Sequence, residues 1–86
     1  MTEIQIRYFA AAAEAAGVEE ERWPATNTLA ELRTALSAKY GAAMTKVLRS
    51  GSFLVNGTVR RDDGALEAAD GSAAITVDVL PPFAGG

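Results

Sequence analysis

The sequence predicts an α+β fold in which a small mixed sheet packs against one main helix. Two patterns support this prediction. Apolar and polar residues alternate near both ends of the chain, at positions 3–9 and 75–80, as they do in half-buried strands. Between these segments, apolar residues recur with the period of an amphipathic helix. They are Leu29, Leu32, Leu36 and Tyr40. With 86 residues and no internal linker, the chain fits one small domain.

The N-terminal segments are predicted to form a strand and then a short helix. In the strand, Ile4, Ile6 and Tyr8 share one face. Phe9 then falls on the other, otherwise polar face. The alanine-rich segment 10–16 predicts one or two helical turns, because alanine has the highest helix propensity, and Gly17 is a natural stop.

A second strand is predicted within residues 19–25, and Pro24 is expected to end it. The acidic run at its start, residues 19–21, is expected to be a solvated edge, and Trp23 to be a packing residue. The main helix then begins at Thr28, which has capping-box spacing to Glu31, and ends before Gly41.

The C-terminal half is predicted to contain short strands joined by turns. Residues 44–50 are expected to form a further turn that buries Val47 and Leu48. Asn56-Gly57 predicts a tight hairpin between strands at 53–55 and 58–59. Asp62-Asp63-Gly64 and Ala69-Asp70-Gly71 predict two more turns before the final strand. This order of elements suits the β-grasp architecture.

Two apolar residues fall on the polar side of the predicted strands. Phe9 occupies that side of the first strand and Leu80 that side of the last. If these strands are neighbours, the two side chains form an apolar patch, which Val59 would join from beside the hairpin turn. Because such patches mark partner sites, Phe9, Val59 and Leu80 are the candidate partner interface.

The last six residues follow the final strand and read Pro-Pro-Phe-Ala-Gly-Gly. We therefore predict a β-grasp domain over residues 1–80 and an extended, reactive tail over residues 81–86. Pro81 and Pro82 fix φ, so the tail leaves the sheet in an extended direction. Gly85 and Gly86 lack a Cβ and can enter a narrow passage. The candidate reactive group is the terminal carboxylate of Gly86.

Composition excludes several classes of chemistry and partner. The chain has no Cys and no His, which excludes disulfides, thiol nucleophiles and Cys/His zinc sites, and we predict no metal site. A net charge of −3 disfavours nucleic-acid binding. No apolar run is long enough to cross a bilayer, and the first residues do not resemble a signal segment. We therefore expect a cytoplasmic protein.

Three collinear segments resemble the ubiquitin-like sulfur carriers (the MoaD/ThiS family), and specifically the small subunits of molybdopterin synthase. The first is Arg7-Tyr8-Phe9-Ala10 leading to Glu14-Ala15-Ala16-Gly17, the second Thr28-Leu29-Ala30-Glu31-Leu32, and the third Leu80-Pro81-Pro82-Phe83-Ala84-Gly85-Gly86. The resemblance spans nearly the whole chain. Its most specific part is the Pro-Pro-x-x-Gly-Gly ending.

The resemblance implies a mechanism in which the carboxylate of Gly86 is adenylated and then converted to a thiocarboxylate. That sulfur would be delivered to cyclic pyranopterin monophosphate in molybdenum cofactor biosynthesis. The tail residues Pro81, Pro82, Phe83, Ala84 and Gly85 would insert into the partner's active site. Phe9, Val59 and Leu80 align with the positions of the family's apolar docking surface.

The resemblance also implies the partners. They are the large subunit of molybdopterin synthase, in a heterotetramer, an adenylyltransferase resembling the ubiquitin-activating enzymes, and a persulfide sulfur donor. No cofactor would be bound permanently, and AMP derived from ATP would reside only transiently on Gly86. The chain would be the sulfur-donating subunit of a sulfurtransferase and no enzyme by itself.

Three alternatives remain open at the level of sequence. A sister carrier would use the same tail chemistry to supply sulfur for the thiamine thiazole or another cofactor. A ubiquitin-like protein modifier would form isopeptide bonds to lysines after the same adenylation. A passive interaction module would use the sheet patch and have an inert tail.

Overall fold

The computed structural model describes residues 3–24, 26–66 and 74–82, which form one sheet and the helices that cover it. In chain order the elements are β1 (Glu3–Tyr8), α1 (Ala11–Ala16), β2 (Glu20–Pro24), α2 (Leu29–Tyr40), α3 (Ala42–Ser50), β3 (Ser52–Val55), β4 (Thr58–Arg60) and β5 (Ala74–Leu80). None of the helices in this part of the chain is long and apolar enough to span a membrane.

The sheet is mixed, as the sequence predicts. Its strand order is β2-β1-β5-β3-β4, with β1 and β5 parallel and the other neighbouring pairs antiparallel. The first and last strands are therefore central neighbours, in a register that pairs Tyr8 with Val79. The condition on which the predicted apolar patch depends, that these two strands are neighbours, is therefore met.

The hydrophobic core lies between the helices and one face of the sheet. Alternate strand residues, such as Ile4 and Ile6 in β1 and Val77 in β5, are fully buried on this face. The helices contribute Ala12, Leu29, Leu32, Leu36, Met44, Val47 and Leu48 to the same cluster. Because strand side chains alternate, the intervening residues of the same strands lie on the opposite face. We call that face the outer face.

The predicted ends of the first two helices are confirmed. The hydroxyl of Thr28 accepts a hydrogen bond of 3.1 Å from the backbone N–H of Glu31, which caps α2. Gly17 adopts a left-handed conformation after α1, with φ 76°, and Gly41 follows α2 with φ 81°. At both positions glycine takes a positive φ without the steric cost that a Cβ would add.

The third helix is longer than the sequence analysis predicts. Instead of a single turn at 44–50, the structure has α3 at Ala42–Ser50. Met44, Val47 and Leu48 follow the i, i+3, i+4 spacing of one helical face, and all three are buried. The start of α3 has no side-chain cap, and burial of this stripe stabilises the helix instead.

The turns after α3 include the confirmed Asn-Gly hairpin. Asn56 and Gly57 both have positive φ, 49° and 86°, as a two-residue type I′ connection requires. The segment after β4 is tied to the start of α2, where the N–H of Leu29 donates to the carbonyl of Gly64 at 2.8 Å. The predicted turn at Ala69-Asp70-Gly71 lies outside the described residues. The predicted boundary between domain and tail at residue 80 stays a prediction.

Candidate functional site

The outer face carries apolar side chains at the end of the sheet where β5 leads into the tail. Phe9 is 42% exposed and Val59 is 59% exposed, while Leu54 and Leu80 are half-buried. The backbone N–H of Phe9 donates to the carbonyl of Val79 at 3.2 Å, which extends the β1–β5 pairing and places Phe9 beside Leu80. We call Phe9, Leu54, Val59 and Leu80 the outer patch.

Leu54 joins this patch although the sequence analysis does not select it. It pairs with Val59 across the hairpin and with Asp78 on its other side, so it lies between two outer-face residues. A signal for it exists in the sequence. The two-residue Asn56-Gly57 loop fixes the hairpin register, and that register sets Leu54 opposite Val59.

The root of the tail lies where β5 approaches the end of α3 and the start of β3. Leu80 ends β5 opposite Ser52, after which Pro81 is half-buried and Pro82 is exposed. A Cβ on Gly51 would overlap the carbonyl oxygen of Leu80 and lie 2.8 Å from that of Val47. Glycine at this position therefore lets the end of α3 and the start of β3 approach the last residue of β5.

The remaining predicted tail residues, Phe83, Ala84, Gly85 and Gly86, lie outside the described residues. Among the described residues, the outer patch and the root of the tail lie together at one end of the sheet. The roles assigned to the patch and to the tail stay predictions.

An ion pair lies within the outer face, next to the patch. Arg7 of β1 and Asp78 of β5 are register partners, and the guanidinium donates two hydrogen bonds to the carboxylate. Nε binds Oδ1 at 2.7 Å and Nη2 binds Oδ2 at 2.8 Å. The Asp78 side chain is only 7% exposed, whereas that of Arg7 is 47% exposed. Hydrogen bonding to Asp78 and its charge raise the pKa of the Arg7 guanidinium.

This ion pair also contacts the apolar residues around it. The Cζ atom of Arg7 lies 5.8 Å from the centre of the Phe9 ring, within the range of a cation–π interaction. On its other side Asp78 pairs with Leu54. The outer patch therefore lies beside one bidentate charge pair, and Arg7 of that pair also has Glu20 of β2 as a cross-strand neighbour.

On the helix-facing side, Glu21 corrects the prediction of a solvated acidic edge. Its Oε1 accepts hydrogen bonds from the Tyr8 hydroxyl at 2.7 Å, from Trp23 Nε1 at 2.7 Å and from the Tyr40 hydroxyl. Oε2 accepts one from Lys39 Nζ at 3.2 Å. Glu21 lies opposite Ile6, so its side chain points toward the helices, whereas Glu20 lies opposite Arg7 and is exposed. Trp23 is partly buried against the core, as predicted.

These contacts shift the protonation equilibria of the cluster. Burial raises the pKa of Glu21, but the hydrogen bonds from Tyr40, Tyr8, Lys39 and Trp23 outweigh burial and hold it below its ordinary value. Burial, and then the hydrogen bond to Glu21, raise the pKa values of Tyr8 and Tyr40. The cluster therefore joins β1, β2 and α2 through one ionised carboxylate. Among the described residues, no group of three or more His, Cys, Asp or Glu side chains is placed to hold a metal ion.

Comparisons with known proteins extend these observations. The sequence profile of the ThiS family matches residues 6–86. No curated protein matches the sequence.

Several solved structures share the fold. The solution structure of small archaeal modifier protein 1 from Methanosarcina acetivorans is 26% identical and has a TM-score of 0.73 over 100% of this chain and 98% of that one. The Haloferax volcanii HVO 2177 protein is also 26% identical, with a TM-score of 0.74 over 99% of this chain and 87% of that one.

A third similar structure is a complex of subunits 1 and 2 of the molybdopterin-converting factor from Helicobacter pylori. It is 21% identical, with a TM-score of 0.66 over 99% of this chain and 100% of that one. The fold is thus that of the ubiquitin-like β-grasp proteins. Because the family profile covers nearly the whole sequence, the chain belongs to the ThiS family, whose β-grasp members are sulfur carriers or ubiquitin-like small modifiers.

Proposed function

We propose that this chain is the sulfur-carrier subunit of molybdopterin synthase, and that Gly86 is the residue whose carboxylate is activated and loaded with sulfur. The observation that carries the proposal is the position of the outer patch. It lies on the face of the sheet that the helices leave open, at the end where β5 passes into Pro81 and Pro82. A partner that covers this patch would receive the tail directly.

In the proposed chemistry the carboxylate is activated once, by adenylation, and sulfur is then introduced in two further steps. A Gly86 carboxylate oxygen attacks the α-phosphorus of ATP and releases pyrophosphate, which leaves an acyl-adenylate. A persulfide sulfur then attacks the acyl carbon and expels AMP, giving an acyl disulfide. A second thiol reduces that disulfide, becomes oxidised itself, and leaves the thiocarboxylate on Gly86. ATP, the persulfide and the thiol belong to partner proteins, consistent with a chain that has neither Cys nor His.

The tail composition suits delivery of that sulfur. Pro81 and Pro82 restrict the backbone, so less conformational entropy is lost when the tail enters a partner's active site. Gly85 and Gly86 allow the acyl group to pass through a narrow channel. In this proposal Phe83 anchors the tail at the channel entrance.

The proposed docking partner is the large subunit of the synthase. In the Helicobacter pylori structure, a protein of this fold is in complex with subunit 2 of the molybdopterin-converting factor. In our proposal the large subunit covers Phe9, Val59 and Leu80, in a heterotetramer of two carriers and two large subunits. Cyclic pyranopterin monophosphate bound there is the sulfur acceptor.

A protein modifier is the second candidate function. Small archaeal modifier protein 1 from Methanosarcina acetivorans is 26% identical to this chain, over 100% of this chain and 98% of that one. Both functions begin with adenylation of the tail. They differ in the next step, because a modifier forms an isopeptide bond to a lysine whereas a carrier accepts sulfur.

The first experiment measures the mass of the C-terminal peptide after activation. The protein is incubated with the candidate adenylyltransferase, Mg-ATP and a persulfide donor, and is then digested with trypsin. Because Arg61 is the last basic residue, cleavage after it yields residues 62–86, which contain Gly86 and no Met. Methionine oxidation therefore cannot mimic the exchange of oxygen for sulfur. The expected result is an ATP-dependent exchange on the fragment that contains Gly86.

A chain that lacks Gly85 and Gly86 is the matched control, because it keeps the sheet and the outer patch. We expect this variant to bind the large subunit and to acquire no sulfur. An unmodified tail, obtained with an adenylyltransferase that is active on its own carrier, would contradict the proposal. Covalent conjugates to other proteins in cell extracts, lost in the truncated chain, would instead support the modifier.

A second assay identifies the acceptor. The thiocarboxylated protein is mixed with the purified large subunit and cyclic pyranopterin monophosphate, and formation of molybdopterin is followed. A parallel reaction uses a thiazole synthase and its substrates. Sulfur transfer in the first reaction alone supports the molybdopterin pathway, and transfer in the second alone reassigns the carrier to thiamine.

A further inference from the structure

The bidentate pair between Arg7 and Asp78 lies on the outer face next to the outer patch, and Glu20 of β2 is the other cross-strand neighbour of Arg7. Phe9 lies against the guanidinium, and Leu54 is the cross-strand neighbour of Asp78. Any protein that covers the outer patch would also cover this pair. Its charges would then lose the water that now reaches the half-exposed Arg7 side chain.

The pair leaves the guanidinium with unused donors. Arginine has five N–H groups, and two of them are taken by the carboxylate oxygens of Asp78. Those bonds use Nε and Nη2, so both N–H groups on Nη1 stay available on the exposed side chain. Asp78 is nearly buried, and the group that the pair presents to a partner is therefore a cation with directed donors.

The energetics of docking follow from this geometry. A wholly apolar partner surface would strip water from the free N–H groups and offer no acceptor in return, which is unfavourable. A partner carboxylate facing Arg7 would replace that water with a charge-assisted hydrogen bond. One ion pair can thus favour one partner surface and penalise another of the same shape.

We infer that the Arg7–Asp78 pair is a specificity determinant of the docking face, and that its partner presents a carboxylate opposite Arg7 within an otherwise apolar surface. This inference rests on the proposed function, because it takes the large subunit as the protein that covers the outer patch. It adds the chemistry by which that subunit is recognised.

The test replaces both charged residues at once. In the double variant Arg7→Leu/Asp78→Leu the outer face becomes continuous and apolar, and no carboxylate is left buried without its partner. Such replacements of an ion pair are often tolerated by the fold. Binding to the purified large subunit from the same organism is measured by isothermal titration calorimetry. We expect the affinity to fall about 10- to 100-fold, since a charge-assisted hydrogen bond across the interface is lost.

The opposite result would overturn the inference. If the facing surface is apolar, the double variant binds as well as the wild type or more tightly. Arg7→Lys provides a second test that keeps the positive charge and is expected to fold. It removes the guanidinium fork and should lower the affinity in the same direction. Unchanged binding of Arg7→Lys and of the double variant, each shown to be folded by circular dichroism, contradicts the inference.

The variant Phe9→Ala separates failure of this inference from failure of the proposed function. If Phe9→Ala weakens binding and the double variant does not, the docking face stands and the role of the ion pair is wrong. If neither changes binding, or if the wild-type chain does not bind the large subunit, the outer face is not the docking surface. Both proposals are then wrong.

Discussion

The helix-facing side and the outer side of the sheet are built from alternate residues of the same strands. Side chains on the helix-facing side find their contacts within the chain, whereas several on the outer side stay exposed. Ile6 is fully buried, and its neighbour Arg7 is half-exposed on the other face. On the helix side, the four hydrogen bonds that Glu21 accepts all come from side chains of β1, β2 and α2. On the outer side, apolar side chains and guanidinium donors stay open to a second molecule.

The two faces also use a carboxylate in different ways. Glu21 is held by neutral hydroxyl and indole groups together with Lys39, which come from three elements. Asp78 is held by a single guanidinium from the neighbouring strand. The first arrangement fixes one edge strand and a helix to the sheet, so its loss should affect stability. The second presents donors outward, so its loss should affect recognition.

The largest effect on stability is expected for Ile6→Ala. Ile6 is completely buried between the sheet and the helices, and its truncation removes apolar contacts and leaves a cavity. We expect the free energy of unfolding to fall by about 2–5 kcal/mol, measured by urea denaturation. Gln5→Ala, one residue away on the outer face, is the control. A loss of similar size at Gln5 would contradict the division between the two faces.

The next effect is expected for Phe9→Ala, which should impair binding and leave the fold nearly intact. Phe9 is 42% exposed, so its truncation costs little in the free protein. Aromatic anchors at the centre of an interface commonly contribute 2 kcal/mol or more, and we expect the affinity for the large subunit to fall about 30-fold. Isothermal titration calorimetry measures the affinity, and thermal denaturation checks the fold.

Val18→Ala is the matched control for Phe9→Ala. Val18 is also 42% exposed, but it follows α1 and lies outside the outer patch. We expect its truncation to change neither binding nor stability appreciably. Equal losses of affinity at Val18 and Phe9 would mean that binding depends on general surface hydrophobicity. That result would contradict a specific docking role for the outer face.

A smaller, pH-dependent effect is expected for Glu21→Gln. The folded-state pKa of Glu21 is lowered from its ordinary value of 4.5, so the ionised form stabilises the folded protein. That contribution is fully present above the unfolded-state pKa and is lost as the pH falls through the lower folded-state pKa. We expect the variant to be less stable than the wild type by about 1–2 kcal/mol at pH 7, with the difference shrinking below about pH 4.

Thermal denaturation across this pH range checks the Glu21 prediction. Glu19→Gln, which alters an exposed carboxyl in the same acidic run, is the control. A stability difference for Glu21→Gln that stays constant from neutral to acidic pH would contradict a role for the charge. If Glu21→Gln lowered the affinity for the large subunit without loss of stability, Glu21 would act in partner recognition. It would then not differ in role from Asp78.

Local sequence patterns predict much of the fold and part of the candidate site. The alternation of apolar residues predicts that Phe9 and Leu80 fall on the polar side of their strands, and because the structure makes those strands neighbours, the two residues lie together on the outer face. The Asn56-Gly57 pair predicts the hairpin because only residues that tolerate positive φ suit its turn. Thr28 predicts the start of α2 because its hydroxyl satisfies a free backbone N–H. Each of these signals lies within a few residues of the feature it predicts.

Features that depend on distant residues could not be predicted in this way. Glu21 belongs to an acidic run that is normally solvated, and its donors Tyr8 and Tyr40 come from other elements. Asp78 is buried by a partner 71 residues away in the sequence. The sequence does not predict the full length of α3, because Gly41 provides no side-chain cap and the helix is fixed by burial of its apolar stripe. Tertiary contacts decide all three cases.

The smallest effect concerns Ala10, where the chain passes from the outer face to the helices. Ala10 has φ 50° and ψ −121°, a backbone conformation that costs a residue with a Cβ roughly 1–3 kcal/mol. Glycine adopts it freely but loses more entropy on folding, so Ala10→Gly should stabilise the protein by about 0.5–1 kcal/mol. Ala38→Gly, at an exposed position inside α2, should instead destabilise it by about 1 kcal/mol.

Urea denaturation of the two glycine variants gives the comparison, and binding to the large subunit shows whether the strain at Ala10 has a use. Phe9 directly precedes Ala10, so a freer backbone at position 10 would loosen the placement of the Phe9 ring. If Ala10→Gly is more stable and binds as tightly as the wild type, the strain belongs to the connection alone. If it is more stable but binds more weakly, the strain orients Phe9, and the outer face depends on rigidity as well as on its apolar surface. A destabilised Ala10→Gly would show that the backbone at this position is not strained.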